Sequence, residues 1–154
     1  MTRDKANRMS DEVSEEANKA TNDWNATIIE EFRANHGVVG GMFKGAPVLL
    51  LHTTGARTGK ERVNPLMYLE EDGVIFIFAS YAGAPRDPDW YVNLVVTPEV
   101  RVEVGDETFQ AVATPVEREV RDRVYAVQAS RYPNFAEYEA KTTRVIPVVQ
   151  LERT

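Results

Sequence analysis

Short apolar segments of strand character, joined by turns too short to hold a helix, dominate the middle of this sequence. The first covers residues 48–53, and Asp72-Gly73 is a strong two-residue hairpin signal ahead of the apolar run 74–80. Further strands are predicted over residues 62–70, 100–104, 108–113 and 145–151. A parallel sheet needs crossover helices between its strands. At least five strands at hairpin spacing therefore predict an antiparallel barrel and exclude a Rossmann sheet.

A helix is predicted ahead of the strands. It begins near Thr21 or Asn22, either of which can serve as an N-cap, and it ends at Gly37. Its apolar stripe is formed by Trp24, Ile28 and Phe32. Residues 1–20 are polar and charged throughout, so we predict a polar lead-in followed by one domain over residues 21–154.

Three more helices are predicted among the later strands. Asp87 suits the N-cap and Pro88 the first position of one that Pro98 closes. A second covers residues 117–131, and Asn134 is expected to cap a short third one. Within the strands, Pro65 restricts its segment to a sheet edge or a bulge.

The amino-acid composition argues against several classes of function. The 154 residues include no cysteine and two histidines, so disulfides, thiolate metal sites and a three-histidine metal centre are excluded, and we expect no metal. The formal net charge of −6 argues against general binding to nucleic acid or to an anionic membrane. The charged N-terminus and the lack of a long apolar run predict a cytoplasmic protein without a transmembrane segment.

A local basic segment stands out on this acidic chain. Arg57, Lys60 and Arg62 lie within six residues, against one acid, Glu61. Gly55 and Gly59 free the backbone to turn its amides toward an anion, and Thr58 adds a hydroxyl. Such a turn can hold a phosphate or a carboxylate, or it can be an exposed β-turn with solvated charges. The spacing is one residue short of a Walker A loop, and Val63-Asn64-Pro65 cannot begin the required helix, which argues against nucleotide hydrolysis.

Two further segments could form walls of a site. Ala79, Ser80 and Tyr81 end an apolar strand in a loop of small residues that leads into a helix N-terminus, where an anion or a flat ring could lie. Tyr132, Phe135 and Tyr138 step by three and share one helical face, which is either packing or a pocket wall. His52 lies near the end of a predicted strand and is interpreted as a structural histidine.

These segments, in this order, resemble the deazaflavin-dependent nitroreductase family of actinobacteria, the quinone- and nitroimidazole-reducing relatives of the split-barrel flavin-binding oxidoreductases. The resemblance runs from about Asp23 to Glu152. Its carriers are Gly40-Gly41, Pro47-Val48, Thr53-Thr54-Gly55, Arg57-Thr58-Gly59, Arg62-Val63-Asn64-Pro65-Leu66, Ala79-Ser80, Pro88, Trp90-Tyr91, Asn93-Leu94, Tyr132-Pro133 and Ile146-Pro147. It implies a split β-barrel of antiparallel strands in an α+β fold, with an N-terminal helix and peripheral helices.

The resemblance also implies a cofactor, coenzyme F420, which is a deazaflavin with a phospholactyl group and an oligoglutamate tail. By this resemblance the basic turn would hold the phosphate and the glutamates, and the ring would lie against the strand ends. The cofactor-binding residues it implies are Gly55, Arg57, Thr58, Lys60, Arg62, Val63, Asn64, Pro65, Leu66, Ala79, Ser80, Tyr81, Trp90, Tyr91 and Asn93. Tyr132 and Tyr138 would line the substrate side as catalytic residues.

The implied activity is hydride transfer from the reduced deazaflavin to a conjugated acceptor such as a quinone, an enone or a nitroaromatic compound. Phe135 replaces a tyrosine and Tyr81 a lysine of the best-known relative, and the loss of the Phe135 hydroxyl predicts a preference for quinones or enones over nitro compounds. Two alternatives remain open: an FMN-dependent reductase on the same fold, and a deazaflavin carrier that is not an enzyme. Barrels of this kind often pair, so a homodimer is compatible with the resemblance.

Overall fold

The computed structural model describes residues 23–154, so the predicted lead-in over residues 1–20 and the cap at Thr21 or Asn22 lie outside the described part. Residues 23–34 are helical and are called α1 here. Ile28 and Phe32 of the predicted stripe are buried, whereas Trp24 stays 43% exposed. The helix ends where predicted, because the amide of Gly37, with a φ of +91°, donates to the Phe32 carbonyl over 2.8 Å.

Six antiparallel strands close into a barrel, which confirms the predicted fold class. The strands are β1 (Val48–Thr54), β2 (Glu61–Glu71), β3 (Val74–Phe78), β4 (Glu99–Val104), β5 (Glu107–Pro115) and β6 (Val148–Arg153), in the order β1-β2-β3-β6-β5-β4. The later helices are α2 (Asp89–Val96), α3 (Arg118–Arg131) and α4 (Pro133–Lys141), with 3-10 turns at Gly41–Phe43 and Tyr81–Gly83. None of the helices within residues 23–154 is both long and apolar enough to cross a membrane.

Strand β3 is buried on both faces, as its nearly continuous apolar sequence predicts. Ile77 points into the barrel core, which also contains Val100 and Val102 of β4. Phe76 and Phe78 belong to a second core on the outside of the sheet, beneath α3 and α4. Alternate side chains of a strand face opposite sides of the sheet, so this short strand joins two apolar clusters.

Strand β2 changes partner halfway along its length. Residues 61–67 pair with β1 and residues 68–71 pair with β3. Pro65 lies opposite Leu50 in the first half, where β3 contributes no partner. Pro65 thus lies where β2 has a strand partner on one side only, which agrees with the prediction of a sheet edge or a bulge.

Three predicted boundaries are wrong, each by one to three residues. The last strand begins at Val148 rather than at 145, because Pro147 still belongs to the connection and its carbonyl accepts the Ala79 amide. Helix α2 begins at Asp89 with Pro88, rather than Asp87, at the N-cap. Tyr132, not Asn134, precedes α4, because Pro133 takes the first helical position, which its fixed φ favours.

Candidate functional site

The basic turn, residues 55–62, is closed by its own backbone. The Gly55 amide donates to the Lys60 carbonyl and the Gly59 amide to the Gly55 carbonyl, both over 2.8 Å. Gly59 has a φ of +70°, and a Cβ added to Gly55 would lie 2.8 Å from Thr58 Oγ1. The turn is therefore tight, and both glycines are needed for its shape.

Within residues 23–154, the cations of the basic turn have no carboxylate partner. Arg57, Lys60 and Arg62 are exposed, and among the ion pairs of residues 23–154 none involves any of the three. Eight other arginines of the same region do pair with a carboxylate. Three unpaired cations on one turn of an acidic protein leave their charge available to an anion from solution.

Asn93 of α2 ties the basic turn to the helix. Its Oδ1 accepts the Ala56 amide over 2.9 Å, and its Nδ2 donates to Thr53 Oγ1 over 3.2 Å. The side chain is buried, so these two contacts fix the turn against α2. Asn93 lies four residues after Asp89, the first residue of α2, which is about 6 Å along the helix axis.

A charged network lies beneath the basic turn, where β1, β2 and β4 meet. His52 is 5% exposed, with Nδ1 2.9 Å from Glu61 Oε1 and Nε2 2.5 Å from Glu103 Oε2. Hydrogen bonding from His52 lowers the pKa of Glu61, and the Arg33 guanidinium is the main cause that lowers the pKa of Glu103. Arg101 adds a 3.1 Å contact to Glu61. Both ring nitrogens have partners, which confirms the structural interpretation of His52.

A second irregular segment, residues 79–87, connects β3 to α2 and is called the ring loop here. Tyr81, Ala82 and Gly83 follow one another with φ values of +46°, +52° and +80°. A left-handed conformation costs about 1–2 kcal/mol for each residue that carries a Cβ. Two such residues in succession indicate a backbone that its surroundings hold in place, a pattern found at ligand-binding sites.

Arg144, from the connection between α4 and β6, holds the ring loop. Its Nε donates to the Ala84 carbonyl over 2.8 Å, and Nη2 donates to the carbonyls of Ala79 and Ser80 over 3.1 and 2.8 Å. Its Nη1 lies 3.0 Å from Asp87 Oδ1. Arg144 belongs to none of the predicted site segments, and its only local signal is its position just before the Ile146-Pro147 pair.

Helix α4 packs directly on the ring loop. A Cβ at Gly83 would lie 3.0 Å from the Tyr138 carbonyl, so only glycine allows this approach. Tyr138 is partly buried, and its hydroxyl oxygen accepts a 3.0 Å hydrogen bond from Asn134 Nδ2. The structure thus brings Tyr138 to the loop that contains Ser80 and Tyr81.

Phe135 faces the core rather than solvent. It is 5% exposed and forms edge contacts with Phe78, Tyr125 and Tyr138 at ring distances of 5.5, 6.3 and 5.5 Å. Tyr125 donates to the Phe135 carbonyl, and burial raises the pKa of Tyr125 to about 12. An acceptor cannot contact the Phe135 ring in this arrangement, so the predicted effect of its missing hydroxyl on acceptor choice loses its structural basis.

The remaining predicted site residues lie around the same end of the barrel. Ala79 and Pro65 are buried, Ser80, Val63, Asn64 and Leu66 are partly buried, and Tyr81 is 39% exposed. Trp90 is 5% exposed within the barrel core, and Tyr91 packs on it with ring centroids 6.4 Å apart. Trp90 therefore fixes α2 on the barrel, whereas Tyr91 stays partly exposed, and their contact with a cofactor remains a prediction. Tyr132 packs against the outer core near α4.

Comparisons with known proteins point to one family. Residues 24–153 match the family model described as F420H(2)-dependent quinone reductase. The chain is 40% identical to an F420H(2)-dependent quinone reductase of Mycobacterium tuberculosis over 129 residues, which are 79% of this chain and 85% of the relative.

Solved structures give the same result. The structure of an F420-H2 dependent reductase, FDR-A, is 41% identical with a TM-score of 0.63, covering 69% of this chain and 94% of that one. A second, described as a domain-swapped dimer, is 37% identical with a TM-score of 0.64, covering 85% and 98%. The homodimer suggested by the sequence stays a prediction for this chain.

Proposed function

The chain belongs to the F420H(2)-dependent quinone reductase family, so it is an oxidoreductase that uses coenzyme F420, and we propose that it reduces quinones at a site beside α2, the helix that follows the ring loop and holds the basic turn. The six-stranded barrel with peripheral helices agrees with the split-barrel fold of the family. The observation that carries the proposed location is the link through Asn93, which holds a turn with three unpaired cations beside the helix that follows the ring loop.

The residues of the basic turn fit the charged part of the cofactor. A phosphate and several carboxylates need cationic and N–H donors. Arg57, Lys60 and Arg62 supply unpaired charges, and Thr58 supplies a hydroxyl. Gly55 keeps the turn tight, so the donors stay close together. We assign the phospholactyl group and the glutamate tail to this turn.

The ring loop and the adjoining part of β2 fit the deazaflavin ring. Ala79, Ser80 and Tyr81 provide small side chains and one exposed aromatic ring at the end of β3. Val63, Asn64, Pro65 and Leu66 lie in the half of β2 that β3 leaves unpaired. We assign ring contacts to these two segments, and to Trp90, Tyr91 and Asn93 the support of α2 beneath them.

The protein's own chemistry is binding, orientation and proton supply. When bound, the reduced deazaflavin supplies a hydride from its C5 atom, and an acceptor quinone then needs a proton. Tyr138 can donate one, because Asn134 donates to its hydroxyl oxygen and leaves the hydroxyl hydrogen free. Tyr132 is the second candidate proton donor from the sequence, and it lies at the start of the same helix.

The first experiment measures binding and turnover separately. Purified protein is titrated with F420 and, in a parallel series, with FMN, and bound ring is detected by fluorescence. Reduced F420 is then mixed with a simple quinone, and the return of oxidised cofactor is followed by absorbance. We expect tight binding of F420, weak binding of FMN and quinone-dependent oxidation. Binding of F420 without turnover of any quinone would instead support the carrier alternative.

A pair of variants tests the proton donor. Tyr138→Phe keeps the ring and its packing but removes the hydroxyl, so kcat for quinone reduction should fall while the dissociation constant of F420 stays near the wild-type value. Tyr132→Phe makes the same change at the second candidate donor, which precedes the same helix, so a fall in kcat for this variant alone would assign the proton to Tyr132. If the two variants behave alike and retain full kcat, the proton comes from solvent.

A further inference from the structure

Neither the basic turn nor the proton donors proposed above account for the contacts of Arg144. It lies in the connection between α4 and β6, and its side chain is 15% exposed. Its four contacts reach three carbonyls and one carboxylate, and all four partners belong to the ring loop. Two of these partners are 64 and 65 residues away in the chain, so the contact is a long-range one.

The segment that Arg144 holds is the one with the unfavourable backbone. Tyr81, Ala82 and Gly83 are left-handed, and the Arg144 guanidinium binds carbonyls immediately before and after them, at Ser80 and Ala84. The two 3-10 hydrogen bonds of the turn, from the amides of Gly83 and Ala84, are too few to hold such a conformation alone. The guanidinium therefore supplies the contacts that keep the left-handed turn closed.

A lysine could not replace this arrangement. Arginine has five N–H donors in a rigid planar fork, and three different nitrogens of Arg144 are used here in three directions. An ammonium group is one point charge and cannot span carbonyls on both sides of the turn. The contacts thus depend on the shape of the guanidinium and not on charge alone.

We propose that Arg144 is a positioning residue that holds the ring loop in the shape that receives the deazaflavin ring, and that it sets the distance between this ring and Tyr138. The second part follows from Gly83, whose backbone abuts the Tyr138 carbonyl, so a shift of the loop changes its spacing from α4. This inference rests on the proposed function for the identity of the ring, but the loop itself is tested without any cofactor.

The experiment compares Arg144→Lys with Arg121→Lys. Arg121 is a matched control, since it is 7% exposed and its guanidinium also binds a carbonyl, of Ile146, and two carboxylates, none of them in the ring loop. Four quantities are measured on each intact protein: hydrogen exchange of the Gly83 and Ala84 amides without cofactor, the dissociation constant of F420, kcat and KM for a quinone at saturating cofactor, and Tm.

Both variants should lower Tm, but only one should alter the loop. We expect Arg144→Lys to speed exchange of the two amides at least tenfold, to raise the dissociation constant of F420 at least tenfold, and to lower kcat with little change in the KM for quinone. Arg121→Lys should change the loop exchange and the dissociation constant less than twofold. Equal effects of both variants, or wild-type exchange and binding in Arg144→Lys, overturn the proposal.

A milder variant covers the case in which Arg144→Lys fails to fold. Asp87→Asn removes the charge of one of the four partners, and we expect a two- to fivefold rise in the dissociation constant with faster loop exchange. An unchanged value for both quantities also overturns the proposal. Failure of the wild-type protein to bind F420 is a different result: it refutes the proposed function, while the exchange data still decide whether Arg144 holds the loop.

Discussion

The basic turn and the ring loop are both irregular segments at one end of the same barrel, and they are held in different ways. The basic turn is closed by two backbone hydrogen bonds, and its three cations are exposed with no ion-pair partner among residues 23–154. Its one acid, Glu61, joins the network of His52 and Arg101. The ring loop has three left-handed residues, and it is held by a buried guanidinium from another part of the chain. Asn93 connects the basic turn to α2, Glu61 connects it to His52 and Arg101, and Arg144 connects the ring loop to the segment before β6.

This difference predicts that substitutions in the two segments affect ligand binding and protein stability differently. A side chain that only points into solvent can be changed without consequence for folding, so the charges of the basic turn are expected to affect the ligand alone. The ring loop has no such freedom, because its backbone conformation, its contact with α4 and its hydrogen bonds to Arg144 depend on one another. Changes there should affect ligand and stability together.

The largest expected effect is on cofactor binding at the basic turn. Arg57→Ala and Arg62→Ala should each weaken binding of F420 by about 1.5–3 kcal/mol, because each removes a charge-assisted hydrogen bond. That range corresponds to about 10- to 150-fold in the dissociation constant. Fluorescence titration at low and high salt measures it, and the loss should shrink at high salt because screening weakens the wild-type contact.

Arg123→Ala is the control for this first prediction. Arg123 is an exposed arginine paired with Glu71, at the opposite end of β2 from the basic turn, and its removal changes the net charge by the same amount. It should leave the affinity unchanged. If Arg57→Ala and Arg62→Ala both bind F420 as tightly as the wild-type protein does, the assignment of the glutamate tail to the basic turn is wrong.

A pair of glycine substitutions compares the two segments directly. Gly83→Ala places a Cβ 3.0 Å from the Tyr138 carbonyl at a φ of +80°, and we expect a loss of about 2–3 kcal/mol in the free energy of unfolding. Gly59→Ala has a similar φ, +70°, but no atom lies within 4 Å of the added carbon, so about 1 kcal/mol is expected. Denaturant unfolding measures the free energy of unfolding of both variants. Equal losses would show that α4 moves away from the carbon added at residue 83.

Asn93 tests whether the basic turn depends on its anchor to α2. Asn93→Ala leaves the Ala56 amide and the Thr53 hydroxyl without their partner, and we expect a loss of about 1–2 kcal/mol in unfolding free energy together with weaker F420 binding. Asn93→Asp keeps an acceptor for the Ala56 amide and should be milder in Tm and in affinity. If Asn93→Ala binds F420 normally, the turn keeps its shape without the anchor.

The smallest expected effect is a loss of unfolding free energy at low pH, and it arises in the charged network beneath the basic turn. The pKa of Glu103 is lowered in the fold by Arg33, so its stabilising contribution is present above the pKa of the unfolded chain and is lost as the pH falls through the lower folded value. We expect less than about 1 kcal/mol between pH 6 and pH 3. Unfolding of Glu103→Gln over this range should lack that component, and an identical pH profile would contradict the expectation.

The sequence was informative where the relevant residues are close together in the chain. The basic turn, the hairpin at Asp72-Gly73 and the two-faced strand β3 could each be predicted from fewer than ten residues. Asn93 and Arg144 act across 37 to 65 residues, and such contacts leave no local pattern. The burial of Phe135 could not be predicted either, because a helical stripe of aromatic residues looks the same whether it faces a pocket or a core.

The change of partner along β2 has a consequence for solubility. Among the described strands, residues 61–67 of β2 pair with β1 but not with β3, so one side of this half-strand has no strand partner. Open strand edges are templates for aggregation, and natural proteins protect them with charge and proline. Glu61, Arg62 and Pro65 provide both kinds of protection. The half of β2 to which we assign ring contacts thus also contains residues that oppose strand pairing between copies of the protein.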